Sequence, residues 1–129
     1  MKSILFVCIH NSGRSQMAEA FLNRLGAGMA EAESAGTEPA EGLNPTVLEV
    51  MREIGYDMAG HFPKVMTPEM VNRAGKIITM GCDVDAGVCP ASFVATEDWG
   101  LDDPKGKPIE DVRRIRDEIR TEVEKLLKS

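Results

Sequence analysis

The sequence predicts an α/β fold: one domain in three α/β/α layers, with a central parallel four-stranded sheet. Three observations carry this. Apolar runs of strand length alternate with amphipathic stretches of helix length along all 129 residues, the pattern of parallel strands joined by helices. The strand candidates are continuously apolar rather than alternating, as strands buried on both faces are. No low-complexity stretch, internal repeat or linker divides the chain, so residues 1–129 read as a single domain.

Ser3-Ile4-Leu5-Phe6-Val7 reads as the first buried strand. From Ser15 the period becomes helical, with Met17, Ala18, Phe21, Leu22 and Leu25 on one face and Gly26 as the stop. A weak second strand lies near 32–35. Asn44-Pro45 is an N-cap followed by proline at the first helical position, opening a helix through Val47, Leu48, Val50, Met51 and Ile54 to Gly55. Thr67-Pro68 opens a shorter one that ends near Gly75. Lys76-Ile77-Ile78-Thr79-Met80 is another buried strand, and Phe93-Val94-Ala95-Thr96 a weaker one. Ile109, Val112, Ile115, Ile119, Val123, Leu126 and Leu127 form one apolar stripe along a charged last helix.

Composition narrows the function. Hydrophobic residues make up 43% and charged residues 28%, with 15 basic against 21 acidic side chains and a net charge of −6. This balance disfavours nucleic acid or a membrane surface as partner. No apolar run reaches the roughly 18 residues that cross a bilayer. The start, Met1-Lys2-Ser3-Ile4-Leu5-Phe6-Val7-Cys8, lacks the features of a signal peptide, so a cytoplasmic, reducing location is expected. Three cysteines cannot all pair, which directs attention to their chemistry.

The central motif is Cys8-Ile9-His10-Asn11-Ser12-Gly13-Arg14-Ser15, between a strand and a helix. The loop is short enough to curl round one tetrahedral oxyanion, with the amides of Ile9, His10, Asn11, Ser12, Gly13 and Arg14 as a nest at a helix N-terminus. Asn11 and Gly13 are residue types that tolerate unusual backbone angles. The planar fork of Arg14 can grip two oxygens. These positive surroundings favour the thiolate of Cys8, and the Ser15 hydroxyl could donate to it. A buried structural cysteine beside a surface arginine is the plain alternative. In a parallel sheet, ligands bind beyond the carboxyl ends of the strands. Cys8 follows the first strand and Gly81-Cys82 the third, so both cysteines are expected on one rim.

Cys8 to Glu19 (CIHNSGRSQMAE) resembles the phosphate-binding loop and first helix of low-molecular-weight tyrosine phosphatases and of the arsenate reductases that share their fold. The resemblance continues through Ser34-Ala35-Gly36-Thr37, Asn44-Pro45 and Asp98-Trp99-Gly100-Leu101-Asp102-Asp103-Pro104. Phosphate transfer needs only one thiol, whereas reducing arsenate takes two electrons. Cys82 and Cys89, with six residues between them, look like the further thiols of thioredoxin-coupled arsenate reductases. The resemblance implies that Cys8 attacks arsenic, that Cys82 attacks the Cys8 adduct with release of arsenite, and that Cys89 then takes Cys82 into a disulfide read by thioredoxin. A mycothiol or glutaredoxin system is an alternative donor. Seven helical steps would hold residues 82 and 89 about 10 Å apart, against the roughly 4.4–6.8 Å of a disulfide. If this segment is helical when reduced, it must unwind on oxidation, which Gly87 and Pro90 make easy. Two inert core thiols are the plain alternative, and the spacing does not suit zinc.

Asp103-Pro104 matches the element that carries the general acid in this fold, with Asp102 as the neighbouring rival and a simple turn as the plain alternative. Lys105-Gly106-Lys107 follows, where the phosphatases tend to carry aromatics, so a small inorganic anion fits better than an aryl phosphate. His10 and Gly13 depart from a pattern in which glycine and cysteine are frequent. Asn11, Glu19 and Ser34 match part of an alkali-ion site found in some relatives, but no aspartate completes it, so no metal and no cofactor is assigned. His61, Lys64 and the acidic residues of the last helix read as solvated surface.

The leading expectation is therefore an arsenate reductase that uses three cysteines and thioredoxin, acts on arsenate with phosphate as a competing oxyanion, and works as a monomer. A phosphomonoesterase with accessory redox cysteines is the second reading. A non-catalytic oxyanion or thiol sensor is the third.

Overall fold

The computed structural model describes residues 2–81 and 97–128. Cys82, Cys89 and the strand expected at 93–96 lie outside the described residues. Four parallel strands form the sheet: β1 (Lys2–Cys8), β2 (Ala30–Gly36), β3 (Lys76–Thr79) and β4 (Glu97–Asp98), in the spatial order β2-β1-β3-β4. The register pairs Cys8 with Gly36 and Val7 with Thr79, so the carboxyl ends of the three longer strands share one rim.

Helix α1 (Arg14–Leu25) follows β1 and stops at Gly26, whose N–H closes on the Leu22 carbonyl. Helix α2 (Pro45–Glu53) is capped by Asn44, whose side chain accepts from the Thr46 N–H, and α3 (Pro68–Arg73) by Thr67, which accepts from Met70. Both capping residues precede a proline that needs no donor partner. Helix α4 (Ile109–Lys128) closes the described chain. No helix among the described residues is long and apolar enough to cross a membrane.

The continuous apolar run of β1 has a direct structural meaning. Ile4, Phe6 and Cys8 face a core built with Met17, Phe21 and Leu22 of α1, Val47, Val50 and Met51 of α2, and Val112, Ile115, Ile119 and Val123 of α4. Leu5 and Val7 face the opposite side, with Ala35 and the partly buried Met70 and Val71 of α3. Strand side chains point alternately to opposite faces, so only an unbroken apolar run can serve both layers. Each large side chain buried this way contributes about 1.5–3 kcal/mol. Arg116 of α4 is also buried; it donates to the Val50 carbonyl at 2.8 Å and pairs with Glu53 at 3.1 Å, tying α4 to α2.

The observed strand at the sheet edge, Glu97–Asp98, is two residues long and polar, so no apolar pattern announces it. Asp98 accepts a hydrogen bond from the Thr79 hydroxyl at 2.6 Å, and Trp99 packs on Phe6 with ring centroids 5.5 Å apart.

Candidate active site

Residues 9–13 join the end of β1 to the start of α1. Their carbonyl oxygens are all engaged. Ile9 accepts from the Glu38 N–H at 2.8 Å, His10 from Ala40 at 3.0 Å, Ser12 from Asn44 at 2.9 Å and Gly13 from Met17 at 3.0 Å. Asn11 accepts from the Gln16 side-chain amide at 3.2 Å. In a trans peptide the N–H points opposite to the preceding carbonyl, and no described peptide is cis. With five consecutive carbonyls held by donors on α1 and on the connection from β2 to α2, the amides of residues 10–14 turn the other way, into the bend. This makes a nest for an anion beside a helix N-terminus. Asn11 sits at φ 50°, a left-handed conformation that asparagine accepts more readily than most residues.

Cys8 Sγ is buried at the foot of this bend and accepts from the Asn11 N–H at 3.2 Å. Ser15 Oγ lies 2.9 Å from it. The surrounding groups decide which way that bond runs. The Lys64 N–H, which can only donate, points at Asn11 Oδ1 at 2.9 Å, and Gln16 Nε2 donates to the same oxygen at 3.0 Å. The other end of the Asn11 amide is therefore Nδ2, which donates to Ser15 Oγ at 2.7 Å. Ser15 accepts there, and its own hydrogen is directed to Cys8. The sulfur thus receives two donors, the Asn11 N–H and the Ser15 hydroxyl. Asn11, Ser15 and Gln16 are fully buried. Among the described residues no buried side-chain nitrogen or oxygen lacks a partner.

Arg14 is only 5% exposed. Its Nη1 donates to the Leu101 carbonyl at 2.8 Å and also faces those of Met80 at 3.3 Å and Gly81 at 3.4 Å. This fixes the guanidinium and leaves Nε and Nη2 as the edge that can grip two oxygens. Nη2 lies 3.8 Å from Asp103 Oδ2, on a carboxylate that is 41% exposed and takes the Lys105 N–H at 3.0 Å on its other oxygen. Asp102 turns away and pairs with Arg114 at 3.1 Å. Gly81, at φ 119°, is required where it stands: a Cβ there would lie 2.6 Å from the Leu101 carbonyl oxygen. The chain immediately before Cys82 thus lies against Arg14. Cys82 and Cys89 themselves fall outside the described residues.

Gly13, at φ −147° and ψ −88°, lies in neither the helical nor the extended region, in keeping with the expectation from the sequence. A Cβ there would also meet Pro104 Cγ at 3.0 Å, so glycine lets the Asp103-Pro104 turn close over the loop. His10 donates through Nδ1 to the Glu38 carbonyl at 3.0 Å. With Ser12, Glu38, Leu43, Asn44 and Lys105 it borders an open cleft of ≈ 630 Å³ with no Phe, Tyr or Trp among the described residues of its wall.

His61 and Lys64 are not plain surface, contrary to the reading of the sequence. Their side chains are only 32% and 28% exposed, and both face Glu19, at 3.9 Å and 3.7 Å. Glu19 also accepts from the Ser34 hydroxyl at 2.6 Å. Gln16 Nε2 is committed to oxygens of Asn11 and Phe62, so its Oε1 must accept from His61 Nδ1, 3.3 Å away. These residues do not fit an alkali ion: Asn11 Oδ1 already takes two donors, and an ammonium stands beside the carboxylate. Sequence reasoning also passed over Gln16 and Leu101, because a glutamine on a helix and a carbonyl in a turn carry no signal until they are folded onto the loop.

A family model described as low molecular weight phosphotyrosine protein phosphatase matches residues 3–129. Over 125 residues the chain is 38% identical to arsenate reductase 2 of Staphylococcus haemolyticus, covering 95% of this chain and 94% of that one. Among solved structures, an arsenate reductase in its phosphate-binding state superposes with a TM-score of 0.86 at 36% identity, covering 99% of this chain and 98% of that one. The thioredoxin-dependent arsenate reductase of Corynebacterium glutamicum gives 0.79 at 35% identity, over 99% of this chain and 61% of that one.

Proposed function

The chain belongs to the low molecular weight phosphotyrosine protein phosphatase family, and from that premise we infer that it is an arsenate reductase acting through residues 1–129 as one domain. The observation that carries the reading is the loop itself: five carbonyls turned outward, their amides turned in, and Cys8 Sγ at the centre beside a donating Ser15 hydroxyl.

Arsenate enters the nest of loop amides, with the free edge of Arg14 on two of its oxygens. Phosphate, of the same shape and charge, competes for the place. The Cys8 thiolate attacks arsenic. A sulfur–arsenic bond forms, one arsenic–oxygen bond breaks, and Asp103 gives its proton so that the oxygen leaves as water. The Cys82 thiolate then attacks Cys8 Sγ. As the sulfur–sulfur bond forms, the electron pair of the sulfur–arsenic bond stays on arsenic, which passes from As(V) to As(III) and departs as arsenite. Cys89 attacks Cys82 and frees Cys8. The two thiols of thioredoxin reduce the Cys82–Cys89 disulfide. The contact of Gly81 with Arg14 supports this order, because it starts the segment bearing both further thiols at the anion site. Lys105-Gly106-Lys107 after Asp103-Pro104, where the phosphatases tend to carry aromatics, favours an inorganic anion over an aryl phosphate.

The test is arsenite production with thioredoxin, thioredoxin reductase and NADPH. The wild type turns over repeatedly, Cys8→Ser is inactive, and Cys89→Ser releases a single equivalent of arsenite and stops. If Cys82→Ser and Cys89→Ser hydrolyse phosphate esters as well as the wild type and neither they nor the wild type form arsenite, the protein is a phosphatase.

A further inference from the structure

We propose that Lys64 is a positioning residue for Cys8: its ammonium is a built-in cation that clamps residues 61–64 onto Glu19, and so holds the hydrogen-bond chain that supports the thiolate. The inference rests on the reading of Cys8 as nucleophile and assigns a role to a residue that touches no substrate.

Glu19 projects from α1, and its side chain is only 13% exposed. A carboxylate so far out of water requires a compensating charge. The Ser34 hydroxyl supplies a hydrogen bond but no charge. The His61 Nδ1 proton goes to Gln16 Oε1 at 3.3 Å, and Glu19 stands farther off at 3.9 Å. The full positive charge facing Glu19 is the Lys64 ammonium, at 3.7 Å.

The same residue holds the nucleophile's support by its backbone. The Lys64 N–H donates to Asn11 Oδ1 at 2.9 Å, and its carbonyl accepts from Gly36 at 2.8 Å. Two positions earlier, the Phe62 carbonyl accepts from Gln16 at 2.9 Å. From Lys64 the path to the sulfur is three hydrogen bonds: to Asn11, from Asn11 to Ser15 at 2.7 Å, and from Ser15 to Cys8 at 2.9 Å. With the ammonium removed, no lysine or arginine among the described residues pairs with Glu19. Residues 61–64 loosen, the Asn11 amide loses the donor that orients it, and the Ser15 hydrogen is no longer directed at sulfur. Because the cation is covalently attached, its effective concentration is high and owes nothing to dissolved ions.

The experiment follows alkylation of Cys8 by iodoacetamide, read on the Cys8 peptide by mass spectrometry. It is run at pH 7 and pH 9.5, in potassium, ammonium or tetramethylammonium chloride at equal ionic strength. The wild type reacts equally fast in all three salts. Lys64→Ala reacts about tenfold more slowly at pH 7 and near the wild-type rate at pH 9.5, where thiols ionise without help. Potassium or ammonium, small enough to reach Glu19, restores part of the loss, and tetramethylammonium does not. Lys64→Arg keeps most of the wild-type rate. Should Lys64→Ala fold poorly, Glu19→Gln combined with Lys64→Met leaves no unbalanced charge and is expected to stay slow at pH 7. Wild-type rates at pH 7 in either variant, or slowing that is equal at both pH values and blind to the ion, would overturn the proposal. A wild-type Cys8 no more reactive than an ordinary thiol is a different result, and removes the nucleophile reading itself.

Discussion

Gly36→Ala tests how closely the anion loop is held. Gly36 ends β2, paired across the ladder with Cys8. It is bridged on its other side through the Lys64 carbonyl and the Met66 N–H, at 2.8 and 2.9 Å. A Cβ at this position would lie 2.5 Å from the Ile9 carbonyl oxygen and 3.1 Å from both the backbone nitrogen and the Cβ of Asn11. An ordinary carbon–oxygen contact is about 3.3 Å, so loop or strand must give by about 0.8 Å against that 2.5 Å approach. The strand is hydrogen-bonded on both sides, so the loop moves. Overpacking of this kind costs about 1–3 kcal/mol, which lowers the melting temperature by about 4–12 °C for a chain of this size. A displacement near 1 Å in a positioning element costs on the order of a hundredfold in rate. Arsenite formation should therefore drop by that order in kcat/KM, and inhibition by phosphate should weaken in parallel, because the amides that bind either anion have moved. The assay is steady-state arsenite production with increasing phosphate, beside a thermal melt. A variant that melts several degrees lower yet keeps wild-type kcat/KM and phosphate inhibition would refute the claim that this packing sets the loop.

Three further outcomes follow from the same geometry. Ser15→Ala removes the donor to Cys8 and leaves Asn11 Nδ2 without its acceptor; alkylation of Cys8 at pH 7 should slow by about tenfold, and stability should fall by about 1–3 kcal/mol in urea unfolding. Asp103→Asn leaves no proton to give, so arsenite formation should fall on the order of a hundredfold, while Cys8 alkylation in the free enzyme stays near the wild-type rate; an equal fall in both would place Asp103 in support of the thiolate rather than in proton transfer. Acid stability should reflect Glu33 and Glu97, whose carboxyls are held below their ordinary value of 4.5, the first by hydrogen bonds from Arg73 and the second chiefly by the Trp99 indole N–H. A depressed folded value means that stabilisation is present above 4.5 and is lost as pH falls through the lower, folded value. Arg73→Met should therefore lower the urea midpoint only slightly at pH 6, because the pair is solvent-exposed, and should match the wild type once Glu33 is protonated in both.

Wherever one short stretch of chain suffices, the sequence was legible. Asn44-Pro45 and Thr67-Pro68 mark two helix starts within the residue, because an N-cap and the proline after it are local chemistry. The stripe from Ile109 to Leu127 announces α4, and the unbroken run in β1 announces a strand with helices on both sides. The edge strand Glu97–Asp98 was not legible, since two polar residues have no period. The site divides in the same way. Cys8, Arg14 and Ser15 stand in one loop and its helix, and could be named together. Lys64 and the Leu101 carbonyl could not, because each reaches the site from its own segment of chain; Gln16 stands beside Ser15, but its partners Phe62 and His61 come from a distant segment.

By itself the sequence determined which thiol stands at the end of a buried strand and which arginine follows it, since a strand, a tight loop and a helix start are written in consecutive residues. Only the tertiary structure decided how that thiol is sustained. The direction of the Ser15 hydrogen depends on Asn11, the Asn11 amide depends on Lys64, and Lys64 is placed by Glu19 and Gly36. A hydrogen bond between segments some fifty residues apart leaves no trace in local periodicity; it exists only once the sheet has brought their ends to one rim.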